Sequence, residues 1–270
     1  MAQRIVRWHH QWLIVHQFLP VTVGQATVDD VLTNGRKFFT WRNDPFIPVE
    51  FAVAAYRFGH SQVRPSYRAN FGTSGTDLSQ QFFAMIFDPA AMGADPADLR
   101  GYRAPRRFMD WQTFFDFGDG RAKSNKKIDT TLSAPLFHLL GQPPATLTSL
   151  ASRNLPRGLT MGLPSGQRVA RAMTLPELST ADLADPEDLQ LHLRTPLWFY
   201  VLWEAAVTAS GEHLGPVGGR IVTEVVIGLL EGDRQSYLRQ DPDWRPTYGS
   251  GGTFTMVDLL RAAGVVASIP

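Results

Sequence analysis

The chain has no cysteine among its 270 residues, so disulfides, Cys-ligated zinc, iron–sulfur clusters and thiolate nucleophiles are excluded together. Lysine is almost absent as well: Lys37, Lys123, Lys126 and Lys127 are the four, and the other 22 cations are arginines, the side chain suited to planar, bidentate contact with carboxylate or phosphate. A carboxylate ligand is one reading of that bias, and a genome that favours arginine codons is the other. Excess charge is missing too. With Lys+Arg at 26 and Asp+Glu at 25 the formal net charge is +1, too weak a field to draw the chain onto nucleic acid or an anionic membrane. No transmembrane segment is expected, because the longest run without charge, Thr130 to Ser152, is broken by Pro135, Pro143 and Pro144. No signal peptide is expected, since histidines and tryptophans interrupt any apolar stretch between Met1 and Pro20. The compartment stays open: a soluble protein, cytoplasmic or secreted as part of a longer one. Repeats and linker-like stretches are lacking, so residues 1–270 read as a single domain.

What is present favours a packed and mostly α fold. Hydrophobic residues make up 44% of a 30.0 kDa chain, enough to bury a sizeable core. Ile5, Trp8, Trp12, Val15 and Phe18 recur at spacings of three and four and predict one helix that Pro20 ends. A short capped helix is expected from Thr27 to Leu32, closed by Asn34-Gly35, and a strong one from Pro48 to His60. From Arg64 to Ser133 the pattern breaks into Gly, Pro and Asp punctuation with aromatic pieces, Gln80 to Phe87 and Trp111 to Phe117, read as long connections with helical turns. Further helices are predicted over Thr146–Asn154, Ser165–Ala172, Pro196–Ala205 and Gly215–Leu230, the last by its length despite a Val/Ile-rich composition. A capped helix from Thr255 to Ala263 finishes the chain.

Seven histidines, at 9, 10, 16, 60, 138, 192 and 213, are the principal soft-metal ligands. None forms a His-x-x-x-His or His-Glu-x-x-His pair. His9 and His16 share a helix face but lie two turns apart, about 10 Å, too far for one metal; they read as polar-edged core residues. His60 has different company. Arg57, three before it, and Arg64, four after it, flank it on one helix face, and two cations oppose its protonation. A neutral imidazole beside Gly59, ringed by arginines, suits a haem, which needs an iron ligand, a flat face and guanidinium partners for its propionates. A structural histidine in an aromatic core is the other reading of the same residues.

The segment Ala55-Tyr56-Arg57-Phe58-Gly59-His60-Ser61 resembles the proximal-histidine motif of the animal haem peroxidase family, especially its bacterial members. Leu150-Ala151-Ser152-Arg153-Asn154-Leu155-Pro156-Arg157-Gly158, followed by Gly162-Leu163-Pro164, is similar to the family's second signature. The run Leu214-Gly215-Pro216-Val217-Gly218-Gly219-Arg220 resembles its late arginine-bearing helix. The resemblance spans Arg4 to Leu260 and implies an all-α peroxidase-like domain, with His60 as axial ligand to haem iron and Asn154 accepting a hydrogen bond from its other ring nitrogen. Read on its own, Asn154 is equally a helix-terminal residue before Pro156. Arg57 and Arg64 are then expected to contact haem b, Arg57 near Asn154 and a propionate. Arg157 and Arg220 are open to a second reading as buried ion-pair residues.

Family members place the distal His and Arg, the calcium ligands and the carboxylates that bond covalently to haem upstream of the segment matching Arg4 to Pro20. No catalytic residue is therefore assignable, no calcium site is expected, and the chain reads as the proximal portion of the domain, without the N-terminal distal helices. By resemblance the activity is that of a haem peroxidase, oxidising an unknown electron donor with hydrogen peroxide through a ferryl haem, with a role in the response to oxidative stress. One alternative is a catalytically incomplete haem-binding or structural remnant of a split or truncated peroxidase. A third is a haem-dependent fatty-acid oxygenase, whose branch uses a tyrosine three residues before the histidine; Tyr56 stands four before His60. Self-association, or pairing with an upstream peroxidase segment, is the expected consequence of absent distal helices.

Overall fold

Trp8, Trp12 and Val15 are all buried, as their spacing predicts. In the computed structural model, which describes residues 2–67, 80–81, 110–139, 146–184 and 189–264, they lie on α1 (Ala2–Leu13) and on a π-helical turn (Ile14–Phe18) that leads into α2 (Leu19–Val23). The extra residue of the π turn shifts the apolar stripe by one position. Phe18, expected in the stripe, is 39% exposed, and Leu19 takes its place at 0%. The same turn explains why Pro20 does not end the helix. Leu19 N–H already reaches back to Ile14 C=O, and Pro20 falls in the first turn of α2, where a missing N–H costs little. The helical path stops instead at Gly24, whose φ of 83° an L side chain would resist. α3 (Gln25–Asn34) starts there, two residues before the expected Thr27.

After Pro48 the structure departs from the single α-helix expected. A π turn (Glu50–Ala54) passes into a 3₁₀ turn (Ala55–Phe58) and then into α4 (Gly59–Gln62), with the break at Ala54 (φ −125°, ψ −76°). α5 (Leu150–Thr160) begins four residues later than expected and carries Pro156 inside it. α6 (Gly166–Ala172) is capped by the Ser165 hydroxyl, which accepts from Arg168 N–H. α7 (Leu197–Ala209), α8 (Pro216–Gly232) and α9 (Tyr237–Gln240) complete the main set.

The chain divides into two compact units. The first comprises Met1–Gln62, Lys127–Leu132 and Ser152–Phe254. Its core is the pair α7 and α8, where Leu197, Tyr200, Leu202, Val222 and Ile227 are all within 2% of full burial, each apolar side chain contributing roughly 1.5–3 kcal/mol. The helices approach closely because Gly218 has no side chain: a Cβ there would meet Val201 at 2.7 Å. Glu204, from α7, closes the N-terminus of α8. Pro216 has no N–H to satisfy, and the next two donors, Val217 N–H and Gly218 N–H, reach the Glu204 carboxylate at 2.9 and 3.2 Å. Burial nevertheless pushes that carboxyl up to about 7, against the opposing pull of its two N–H donors. Further along α8, Glu224 accepts from Lys37, Phe38 and Phe39 N–H at 3.0, 2.7 and 2.9 Å and so pins the chain beyond α3. α1 is tied to the segment before α9: Trp8 Nε1 donates to Gln235 C=O, and Gln11 bonds both Asp233 and Tyr237 N–H.

The second unit comprises Val63–Lys126, Ser133–Ala151 and Thr255–Pro270. It holds an antiparallel pair, β1 (Ser66–Tyr67) with β2 (Gln80–Gln81), where only helical turns were expected, and 3₁₀ turns at Trp111–Thr113 and Ala134–Phe137. The aromatic piece Gln80 to Phe87 lies outside the described residues from Phe82 onward. α10 (Met256–Ala262) starts with the predicted cap, Thr255 and Asp258 each bonding the other's backbone N–H. Among the described residues no helix is long and apolar enough to cross a membrane.

Candidate functional site

His60 stands in α4 directly after the 3₁₀ turn, and in 3₁₀ winding side chains three apart eclipse one another. That aligns Arg57 with His60 more closely than a regular α-helix would. Arg57 is anchored twice: its Nε donates to Ala52 C=O at 3.0 Å and its Nη1 to Asn154 Oδ1 at 3.1 Å. Trp198 Nε1 holds the Arg57 backbone, donating to its C=O at 3.3 Å. Asn154 reaches across from α5, 1% exposed, and its amide nitrogen lies 2.9 Å from His60 Nδ1. His60, Arg57 and Asn154 are thus brought together, as the two sequence motifs imply.

The polarity of the Asn154 contact is the reverse of the expectation. Arg57 has only donors, so it claims Oδ1 and leaves the amide N–H₂ facing His60 Nδ1. In this arrangement Asn154 donates, Nδ1 accepts, and the imidazole proton sits on Nε2. Burial, seconded by the Arg57 charge, holds the imidazole down to about 4, so it is neutral at neutral pH. Its Nε2 has no protein partner among the described residues, and a Cβ placed on Gly59 beside it would meet nothing within 4 Å.

The helix that carries His60 does not extend to Arg64, so helical spacing does not set Arg64 on its face. α4 ends at Gln62, and Arg64 turns its guanidinium over the Tyr67 ring, 4.5 Å from the centroid, while its N–H donates to Tyr67 Oη. The helix was read too long because nothing between Gln62 and Pro65 marks the stop as strongly as a glycine would. Arg157, one turn after Asn154 on α5, is exposed rather than buried, and its charge is felt by Arg57, whose pKa burial and this neighbour both lower. Among the described residues no carboxylate pairs with Arg57 or Arg157. Arg220 is the opposite case: it bonds Asp30 and lies 3.7 Å from Glu224, the buried ion-pair reading.

His9 and His16 are both committed elsewhere. His9, 4% exposed, donates from Nδ1 to Ile5 C=O and accepts at Nε2 from Thr247 N–H, with Trp244, Tyr248 and Phe254 packed around it. His16 Nε2 lies 3.1 Å from Tyr237 Oη. Trp198 is the site residue that sequence reasoning missed. The signal was an indole N–H near the start of a helix whose first turns are apolar, which needs a buried acceptor.

Two cations without a carboxylate among the described residues, and a neutral imidazole fixed through one nitrogen with no partner described at the other, fit an anionic macrocycle with a metal centre. Comparison with known proteins agrees. The family model for animal haem peroxidase matches residues 1–195. The chain is 27% identical to chorion peroxidase of Drosophila melanogaster over 87% of its length, and 26% identical to heme peroxidase 2 of Caenorhabditis elegans over 85%, covering 29% and 32% of those proteins. It is 26% identical to human thyroid peroxidase over 68% of the chain and 19% of that protein. It spans about a third or less of the length of these relatives. Peroxidase A of Dictyostelium discoideum shares the fold, with a TM-score of 0.51 at 21% identity over 87% of this chain and 43% of that one. The family match covers more than half of the residues, and the chain belongs to the animal haem peroxidase family.

Proposed function

We propose that this chain binds haem b through His60 Nε2, with Asn154 orienting the ring and Arg57 and Arg157 facing the propionates, and that it supplies the proximal side of a peroxidase. The observation that carries the reading is the neutral imidazole held through Asn154 beside Arg57, an arginine that no carboxylate pairs with among the described residues and whose neighbouring charge is Arg157. We read residues 1–270 as one peroxidase domain in part. The bound group would supply the redox chemistry by which peroxide oxidises a donor.

The protein's own contribution is to hold a proton at a stated atom. Ligation through Nε2 requires the imidazole proton on Nδ1, and Nδ1–H needs an acceptor. Asn154 meets that need by turning its amide over, so that Oδ1 faces His60. The turn takes Oδ1 away from Arg57 Nη1, and the guanidinium is released to an anionic group at the moment one arrives. An uncharged amide leaves the imidazole a weaker donor to iron than a carboxylate would.

Haem titration of His60→Ala tests the assignment. Loss of the Soret band on titration is expected, restored by added imidazole; an unchanged spectrum rejects it. Asn154→Asp should bind haem with a lower Fe(III)/Fe(II) potential, because the carboxylate draws the Nδ1 proton and makes the ring a stronger donor. A potential that does not move with haem bound would mean the two residues are not coupled.

A second reading is a haem binder that does not turn over unaided. It is favoured by the engagement of His9 and His16 with Thr247 and Tyr237, which leaves neither ring free as a proton acceptor for peroxide. General acid–base assistance is worth roughly 10²–10⁴-fold. A peroxidase assay on the haem-loaded chain, with and without the corresponding upstream segment of a relative added, separates the two.

A further inference from the structure

Tyr237 and His16 lie far from each other in sequence and meet inside a cluster of aromatic rings. Tyr237 is 1% exposed, and its phenol oxygen lies 3.1 Å from His16 Nε2, within range for direct proton transfer. His16 lies against Trp12, centroids 3.8 Å apart, with one side of its ring open to solvent. The Tyr237 ring is 5.8 Å from Trp244 and 5.9 Å from Trp12, and Trp244 in turn is 5.4 Å from Trp8. Trp244 is only partly covered. Four rings of low ionisation energy thus form a continuous path from a buried phenol to the surface.

We propose that Tyr237 and His16 form a redox-active pair, in which a one-electron oxidant takes an electron from Tyr237 while the phenol proton passes to His16 Nε2. The O–H bond breaks and an N–H bond forms; the products are a neutral tyrosyl radical, an imidazolium and the reduced oxidant. An electron from an exogenous donor at Trp244, with return of the proton from His16, restores the pair. In the protein the one-electron oxidant would be supplied by a bound haem after reaction with peroxide, and that source rests on the haem reading above. The pair itself does not.

Electrostatics selects Tyr237 as the place where the hole settles. An oxidised tryptophan is a radical cation, and Arg4 lies 4.8 Å over the Trp8 ring and Arg245 5.6 Å from the Trp12 ring, each opposing a positive hole there. The tyrosyl radical is neutral once its proton has moved. His16 can take that proton because burial, then Arg245, keep its pKa below the ordinary value, against a smaller upward pull from Asp29, so the ring is neutral at neutral pH. Burial pushes the phenol itself upward, so Tyr237 does not ionise before it is oxidised.

The test uses the full chain without haem and a photogenerated ruthenium(III) polypyridyl as the oxidant. Flash-quench oxidation should give a long-lived tyrosyl signal by electron paramagnetic resonance, with the g-anisotropy of a phenoxyl that accepts a hydrogen bond, and formation should slow in deuterium oxide. Tyr237→Phe should remove this signal. His16→Phe and His16→Gln, folded by circular dichroism, should lower its yield several-fold, shift the g-anisotropy and abolish the isotope effect; if the Phe variant fails to fold, the Gln variant carries the comparison. A signal that survives Tyr237→Phe, or one that the His16 variant leaves unchanged, overturns the proposal. Because the photo-oxidant replaces haem, failure of His60 to bind haem does not alter the outcome.

Discussion

Arg57 and Arg220 are both helix-borne, both at least half-buried, and opposite in what surrounds them. Arg220 sits between Asp30 and Glu224, and the same Glu224 carboxylate takes three backbone N–H donors, so charge and chain path are fixed together. Arg57 has a neutral amide and a carbonyl as acceptors, and its nearest felt charge is another arginine. A buried cation whose charge is balanced by carboxylates is part of the fold; one left with neutral partners is, on the proposed reading, the one available to an anionic ligand. The contrast separates the two arginines more sharply than their sequence motifs do.

The largest effect should come from breaking the compensated side. Glu224→Ala removes the acceptor of three N–H groups and leaves Arg220 with Asp30 alone, and loss of one partner from a buried ionic cluster costs about 3–5 kcal/mol. Urea denaturation checks it, and a loss under about 1 kcal/mol would show that Glu224 does not hold the segment after α3.

The next prediction sets α8's cap against the site in pH. Glu204 has a folded pKa of about 7 against an ordinary 4.5, so the folded state binds more protons between these values and stability is lost as pH rises through that window. His60 has a folded pKa of about 4 against 6.5, so the unfolded state binds more and stability is lost as pH falls from 6.5 to 4. The Glu204 slope amounts to about 3 kcal/mol across its window, and the His60 slope to less, because solvent screens its partly exposed ring. Glu204→Gln should therefore give a haem-free chain whose stability rises steadily from pH 4 to 6.5, and His60→Phe one whose stability falls from pH 4.5 to 7. Denaturation midpoints measured across pH 4–7.5 decide it; parallel curves for the two variants would contradict both assignments.

How much of this was legible in the residues follows from which physical rule governed each element. α8 was recoverable because its length overrides its Val/Ile composition, and α10 because Thr255 and Asp258 carry their cap in the sequence. Pro20 and Pro156 misled. A proline is a stop signal only where its missing N–H is needed, and the π turn before Pro20 removes that need. The winding from Glu50 to Gln62 was hidden, since apolar spacing distinguishes period 3.6 from period 2 and not π from 3₁₀. At the site, the meeting of His60, Arg57 and Asn154 could be read from two motifs, but the direction of the Asn154 bond could not. It depends on a third residue competing for the same oxygen. Tyr237 and His16 gave no signal, being partners only through the packing of α9 on α1 and its π turn.

The smallest predicted change in stability carries the sharpest test of the Arg57 environment. In Arg57→Leu the Asn154 oxygen loses its donor, and a buried oxygen left unpaired would cost about 1–3 kcal/mol. With Arg57 gone nothing fixes which end of the amide faces His60: turned over, it offers Oδ1 to His60 Nδ1, provided the imidazole proton moves from Nε2 to Nδ1, and leaves its N–H₂ to water entering the space of the lost guanidinium. Stability should therefore fall by only about 1 kcal/mol, while the tautomer changes. Nitrogen-15 shifts of His60 in the haem-free chain distinguish the two, Nε2–H in the natural chain and Nδ1–H in Arg57→Leu. The His60 pKa should also rise from about 4, yet stay below 6.5, because burial is the larger of its two causes and survives the substitution. An imidazole that keeps its proton on Nε2 after the change would show that Arg57 does not set the orientation of Asn154, and with it would go the contrast between an arginine held by the fold and one held ready for a ligand.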